Sequence, residues 1–289
     1  MKRKVIALVL ITALVATSVA ACGKKPKRRA IDDDDEDEVE TVDTTESTED
    51  SASSSMDSSV ETSSQDSGSV AILFEDSSKP VVYSAVTEED IGYKYEIPYI
   101  NISSDDAKSI NSEMNNLLQP KITEDLEQRE DEANYYENIV YSSYINGSTL
   151  SLLITAESVD DVDEHWVYNI DISTGKKITN DDIRKMKGLD DSSYLNLLKE
   201  KFIAKFYELF GSRDEYEDSV KEVNQGLSAK EIADLVEFYD EQYECTVSAD
   251  NYSLTTPLFI GSNGNACVIG DIYSVAGADC YEHIIDLGV

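Results

Sequence analysis

Residues 31–78 constrain the fold more than any other stretch. Asp32 to Glu38 is an unbroken acidic run, and the whole stretch carries 17 acidic residues with no Lys or Arg. Ser/Thr-rich sequence follows, such as Ser51-Ala52-Ser53-Ser54-Ser55. With so few apolar residues, burial cannot offset the entropy of ordering. Residues 23–78 are therefore expected to be a disordered linker, with a self-repelling reach of roughly 40 Å or more. The foldable part is then 79–289, enough for one sizeable core. A small apolar island, Val70-Ala71-Ile72-Leu73-Phe74, lies inside the linker, and the sequence leaves open whether it joins the fold.

Before the linker the chain changes character twice. Lys2-Arg3-Lys4 is a positive start, and Val5 to Val19 is apolar apart from Thr12, Thr17 and Ser18. That run is short for a bilayer span, which needs about 20 residues, and it fits the core of a signal peptide. Val19-Ala20-Ala21-Cys22 then resembles the lipobox of bacterial lipoproteins. The resemblance implies a signal peptide over 1–22, cleavage before Cys22 and a lipid on its sulfur. Two or more acyl chains make a stable anchor at about 0.8 kcal/mol per buried CH₂. Lys24-Lys25-Pro26-Lys27-Arg28-Arg29 follows and would lie on anionic headgroups. The expected location is the outer face of a bacterial cell membrane, in the wall zone of a Gram-positive envelope.

The net charge of the chain is -35, and residues 79–289 alone carry 42 acidic and 16 basic residues. Such a domain repels nucleic acid, whose phosphates need Lys and Arg, and attracts basic partners. Solubility alone also accounts for the charge. Besides Cys22 there are Cys245, Cys267 and Cys280. An odd number leaves at least one thiol unpaired or paired between molecules, and buried thiols behaving as small hydrophobes are expected.

From Lys79 the pattern becomes structured. Pro80–Val86 and Tyr93–Ile102 read as strands. A helix follows, with Ser103 and Asp106 spaced as a capping box and Ala107, Ile110, Met114 and Leu117 on one face. Pro120 is expected to kink or end it. Ile139–Ile145, Asn146-Gly147 and Thr149–Thr155 make a hairpin, with Trp166–Ile172 as a third strand. Thr179 to Asp182 caps a short helix. Leu195, Leu198, Phe202, Phe206 and Leu209 form the stripe of a longer one, with Gly211 as its C-cap. Ser228 to Glu231 is a capping box, followed by Ile232, Leu235, Val236 and Tyr239 as a buried face. Leu258–Ile260, Ala266–Tyr273 and Tyr281–Leu287 return to strands. Strands and helices come in groups, so the expected class is α+β: one domain with a largely antiparallel sheet packed by several helices.

Two segments resemble a known family. Tyr95-Glu96-Ile97-Pro98-Tyr99-Ile100, followed by a helix holding Ile110-Asn111, resembles its first half. Tyr168 to Ile183, with a strand ending in Asp171, the Thr174-Gly175-Lys176 turn and a polar-capped helix, resembles its most recognisable part. This is the RsiV/PdaC-type extracytoplasmic domain, found in an anti-sigma factor and in the non-catalytic part of a peptidoglycan deacetylase. Thr256–Ile260 through Ala276–His283 looks like a variant from related Gram-positive lipoproteins. Only Met1 to Lys4 precede the apolar run, so no anti-sigma role is expected, and the deacetylase domain is not expected either. What the resemblance implies is a surface module, which in the anti-sigma factor binds lysozyme, a basic protein.

Candidate chemistry is sparse. His165 and His283 are the only histidines, and His165 adjoins Asp163 and Glu164. The run Asp160-Asp161-Val162-Asp163-Glu164 offers oxygens for calcium but lacks the glycine and terminal glutamate of an EF-hand. It is expected to be a solvated connection. Ser173-Thr174-Gly175-Lys176 has the serine–lysine spacing of penicillin-binding enzymes without the companion motifs. Tyr135, Tyr136, Tyr141 and Tyr144 could stack on sugars or pack in the core. No cofactor or metal motif is present, and the only site residue expected is Cys22, for lipid attachment. The reading is a lipid-anchored, non-catalytic binding module for a basic, lysozyme-like protein or a cell-wall glycan. The alternative is a wall-polymer enzyme with its site near His165 and residues 160–164. Two histidines converging in a cleft would favour the enzyme, and histidines apart and exposed would favour binding. A two-lobed substrate-binding lipoprotein of a transporter finds little support in a chain of this length and pattern.

Overall fold

The computed structural model describes residues 71–90, 93–128, 136–158, 162–224, 226–277 and 280–289. The expected signal peptide, Cys22, residues 23–70 of the linker, Tyr135, Asp160 and Asp161 lie outside them. The α+β expectation holds, but the strands divide into two sheets rather than one.

The first sheet has the order β1-β2-β3-β4-β5. β1 (Val82–Asp90) pairs antiparallel with β2 (Tyr93–Ile100). Helix α1 (Asp105–Gln128) then crosses over, so that β3 (Tyr136–Asn146) runs parallel to β2. β3 returns through the expected hairpin as β4 (Thr149–Ser158), with Gly147 at φ 61° in the turn. Two-residue turns of this kind need positive φ, which Gly adopts without a Cβ clash. β5 (Glu164–Asp171) completes the sheet along β4.

Ala107, Ile110, Met114, Leu118 and Ile122 of α1 are buried against β2, β3 and β4. Leu118, four residues after Met114, takes the place expected of Leu117, which is half-buried. Two expectations for this helix are corrected. Its cap is Ser104, whose hydroxyl accepts the Ala107 N–H at 3.1 Å, and not Ser103. Asp106 instead accepts the Lys177 N–H at 2.9 Å. The helix also runs through Pro120 to Gln128. Pro120 and Asn116 are both exposed, so the carbonyl that loses its donor faces water and is satisfied there.

Ile72, Leu73 and Phe74 of the island inside the expected linker are part of the fold. The Leu73 N–H donates to the Ile172 carbonyl at 3.0 Å, and the Ser103 N–H donates to Leu73 at 2.7 Å. Phe74 bridges Ile102, and Ile72 packs on the core. Buried Asn101 takes the Asp76 N–H on its carbonyl and donates to the backbone of Asp76, Lys79 and Pro80. Order therefore begins before the boundary drawn at residue 79.

The second half is α2 (Asn180–Met186), α3 (Asp191–Phe210), α4 (Arg213–Val223) and α5 (Ala229–Val247). An antiparallel sheet follows: β6 (Leu258–Ile260), β7 (Ala266–Tyr273) and β8 (Cys280–Asp286). Tyr194, Leu198, Phe202 and Phe206 of α3 form its core with Tyr239, Val268, Ile272 and Ile285. Leu209, expected on this stripe, is 40% exposed, because Tyr194 rather than Leu209 completes the buried face. α4 was not expected from the pattern. Its Ser212/Glu215 capping box is complete, but a mostly charged helix offers little apolar periodicity.

Leu153 of β4 with Phe259, Cys267 and Ile269 forms a small cluster joining the two sheets. Polar bonds reinforce it: the Ile260 N–H donates to Ser151 Oγ at 3.0 Å, and Asn169 Nδ2 donates to the Leu258 carbonyl at 2.9 Å. Gly270 of β7 is the tightest approach, since a Cβ there would lie 2.2 Å from Phe202 Cζ. Among the described residues no helix is long and apolar enough to cross a membrane.

Candidate functional site

His165 contacts the strand that carries His283. His165 lies buried on edge strand β5, and its N–H donates to Glu282 Oε2 of β8 at 2.8 Å. Its Nδ1 is 3.4 Å from the same carboxylate oxygen and makes no hydrogen bond. His283, next along β8, is half-buried. Burial depresses its pKa, and the charges of Lys205 and His165 depress it further. Neither of the pocket-like hollows described below contains either histidine.

The acidic residues beside His165 are occupied. Asp163 Oδ1 accepts the Ser158 N–H at 3.2 Å. Glu164 accepts the Tyr136 hydroxyl and pairs with Lys121 at 3.2 Å. Among the described residues no group of three or more His, Cys, Asp or Glu could hold a metal ion.

The Ser173–Lys176 segment is a structural clamp. Asp171 accepts the Ser173 hydroxyl and the Ser148 hydroxyl, each at 2.6 Å, and the N–H groups of Ser173 and Thr174 at 2.9 and 2.8 Å. Burial works to raise its pKa, but these four bonds win and hold the carboxyl well below its usual range. Ser173 Oγ is thus spent as a donor, and Lys176 is largely exposed. Gly175, at φ 67°, presses on α1, where a Cβ would meet Ser104 Cβ at 2.4 Å.

The tyrosines are mostly core. Tyr136 is buried, Tyr141 packs on the first core, and Tyr144 stacks on Phe259 with ring centroids 6.2 Å apart. The outward-facing aromatic is one that sequence reasoning passed over. Tyr207, 42% exposed, stacks on Tyr243 at 5.6 Å. Cys267 carries a free buried thiol, whose pKa burial pushes up to about 11.

Two hollows stand out on the surface of the described residues. A cleft of about 230 Å³ lies over Val167–Asn169, Lys177–Asn180, Pro257 and Leu258. A larger groove of about 360 Å³ lies between α4 and α5. Capping boxes at Ser212 and Ser228 start the two helices, and Tyr216 stacks on Tyr239 at 4.8 Å to hold them side by side. Arg213, Glu217 and Lys221, four residues apart on α4, form one wall. Ala229, Ile232, Ala233 and Val236 form an aliphatic floor, Asp240 continues that face one turn on, and Glu237 flanks it. Arg213 Nε lies 3.0 Å from both Asp240 oxygens, and Lys221 is 2.7 Å from Glu217. The Asp240 bond raises the Arg213 pKa, and the Lys221 bond lowers that of Glu217. Arg213, Lys221, Glu217, Glu237 and Asp240 supply the charged groups of this groove.

No protein-family model matches the chain, and a search of curated proteins returns no match. The RsiV/PdaC resemblance accordingly rests on the segments quoted above.

Proposed function

We propose that the chain is a lipid-anchored protein on the outer face of a bacterial cell membrane. Its folded domain is a non-catalytic binding module for an envelope protein, a basic lysozyme-like one, or for a cell-wall glycan. The observation that carries this reading is Val19-Ala20-Ala21-Cys22, placed after a basic start and a short apolar run. The acidic balance of residues 79–289 and the resemblance of Tyr95–Ile100 and Tyr168–Ile183 support the binding role. The engaged state of Asp163, Glu164, Asp171 and Ser173 leaves these groups to hold the fold.

Cell fractionation of Cys22→Ser tests the anchor. The variant is expected in the soluble or secreted fraction, and unchanged membrane retention defeats the lipoprotein reading. A pull-down with lysozyme-like proteins across a salt series tests the partner, and retention that weakens as salt screens the charge is expected. Absence of salt-sensitive retention of any basic protein sinks that part.

One observation bears on the enzyme reading: His165 bonds Glu282, the residue next to His283. Against it, the His165 side chain is 7% exposed and lies against Glu282. Turnover of wall polymer by the wild type that vanishes in His283→Gln would establish the enzyme reading over the binding module.

A further inference from the structure

From the shape and charge of the α4–α5 groove we infer that it receives a cationic amphipathic helix supplied by a partner protein. This deepens the binding-module reading and rests on it.

Length is the first argument. The lining of α5 runs from Ala229 to Asp240. The Arg213–Asp240 pair closes one end, so the open floor runs from Ala229 to Val236, two helical turns or about 10 Å at 1.5 Å per residue. The floor residues Ala229, Ile232, Ala233 and Val236 follow the i, i+3, i+4, i+7 spacing of one helix face. A partner helix presenting an apolar stripe with the same spacing is the natural complement. Ala229 and Ala233 are exposed and small, so a second helix can approach closely.

Charge selects the sign of the partner. α4 and α5 together carry eleven Asp and Glu against three Lys and Arg. Asp214, Asp218 and Glu222 stand exposed beside one wall, and Asp234 and Glu241 beside the other. The cations of the wall, Arg213 and Lys221, are already held by Asp240 and Glu217. A helix with Lys and Arg flanking its apolar stripe meets complementary charge on both sides.

Other occupants fit less well. No aromatic ring lines the groove to stack on a sugar. A second copy would set one acidic helix pair against another. The chain's own Lys24-Lys25-Pro26-Lys27-Arg28-Arg29 has the charge but no aliphatic side chain for the floor.

The test uses the full mature chain with Cys22→Ser, so that no lipid or detergent competes for the probe. The probe is a fluorescent Leu/Lys helix of about 18 residues with a continuous apolar stripe, compared with a scramble of equal composition. The striped peptide is expected to bind at least about tenfold more tightly than the scramble. Ala233→Trp, which fills the floor at an exposed position, is expected to weaken it by about tenfold, with unchanged melting temperature. Equal affinity of the two peptides, or an Ala233→Trp chain that binds as well as the parent, overturns the proposal. Binding that appears only after the basic residues of 24–29 are replaced by Ser overturns it too, in favour of the chain's own segment. So does a dimer in sedimentation that Ala233→Trp dissolves. If a lysozyme-like protein is retained by wild type and Ala233→Trp alike, the groove assignment fails and the binding module survives.

Discussion

The two halves of the domain bury different things. Around the five-stranded sheet, polar side chains are taken inside and satisfied. Asn101 holds four backbone groups, Asn111 bonds both backbone groups of Ile100, and Asp125 takes the Tyr95 hydroxyl and the Tyr136 N–H. Around the three-stranded sheet the interior is ringed by aromatics, with Phe206 touching Phe210, Tyr239 and Tyr243. There the charge is pushed outward onto α4 and α5. Buried polar bonds fix one geometry and tolerate little change. A helix pair packed on rings can carry many surface substitutions without losing its core. A recognition surface therefore sits more easily on the second half, and a scaffold on the first.

The sharpest way to break this contrast is at Gly270. Gly270→Val drives a branched side chain into Phe202, which is fully buried. Overpacking of this kind should cost about 3 kcal/mol, read as a lower denaturant midpoint. A loss below about 1 kcal/mol would mean that the aromatic half yields as readily as its surface does. Asp171→Asn probes the polar half. Removing the charge weakens four hydrogen bonds and should cost about 1–2 kcal/mol at neutral pH. Because the folded carboxyl titrates below its unfolded value, its contribution is present above the unfolded pKa and is lost as pH falls through the folded one. The difference between wild type and Asp171→Asn should therefore shrink below about pH 4. Equal differences at pH 7 and pH 3 would remove Asp171 as the source.

The smallest effect belongs to the seam between the halves. His283 titrates below its ordinary value when folded, so the unfolded chain binds its proton first. Stability from neutral His283 is present above the unfolded pKa, about 6.5, and declines as pH falls toward the folded one. His283→Gln should flatten that part of a melting-temperature profile between about pH 5 and 7. A slope unchanged from wild type would assign it to other groups.

Much of this was legible in the chain. Asn146-Gly147 announced its hairpin, and Ser228 with Glu231 announced α5, because turn and cap chemistry is local. The Asp171 turn was visible as a motif, but not the reason for it, since its contact with α1 spans 71 residues between Lys177 and Asp106. Pro120 misled because only tertiary placement told whether its orphaned carbonyl would face water. The α4–α5 groove was hidden for a related reason. Ile232 and Val236 of its floor read as core, since an apolar stripe looks the same whether a neighbour covers it or leaves part open. The contact of His165 with Glu282 arises from two strands of different sheets, which no periodicity encodes.

The docking of Ile72 to Asp76 has a mechanical consequence. Any pull arriving from the N-terminal side loads this short segment, and the packing of Ile72 on the first core, before it reaches the paired strands. The load falls first on the bonds of Leu73 to Ile172 and Ser103, and on the Asn101 strap around Asp76, Lys79 and Pro80. These can give way while β1 stays paired with β2, so the segment would act as a fuse that yields ahead of the sheet.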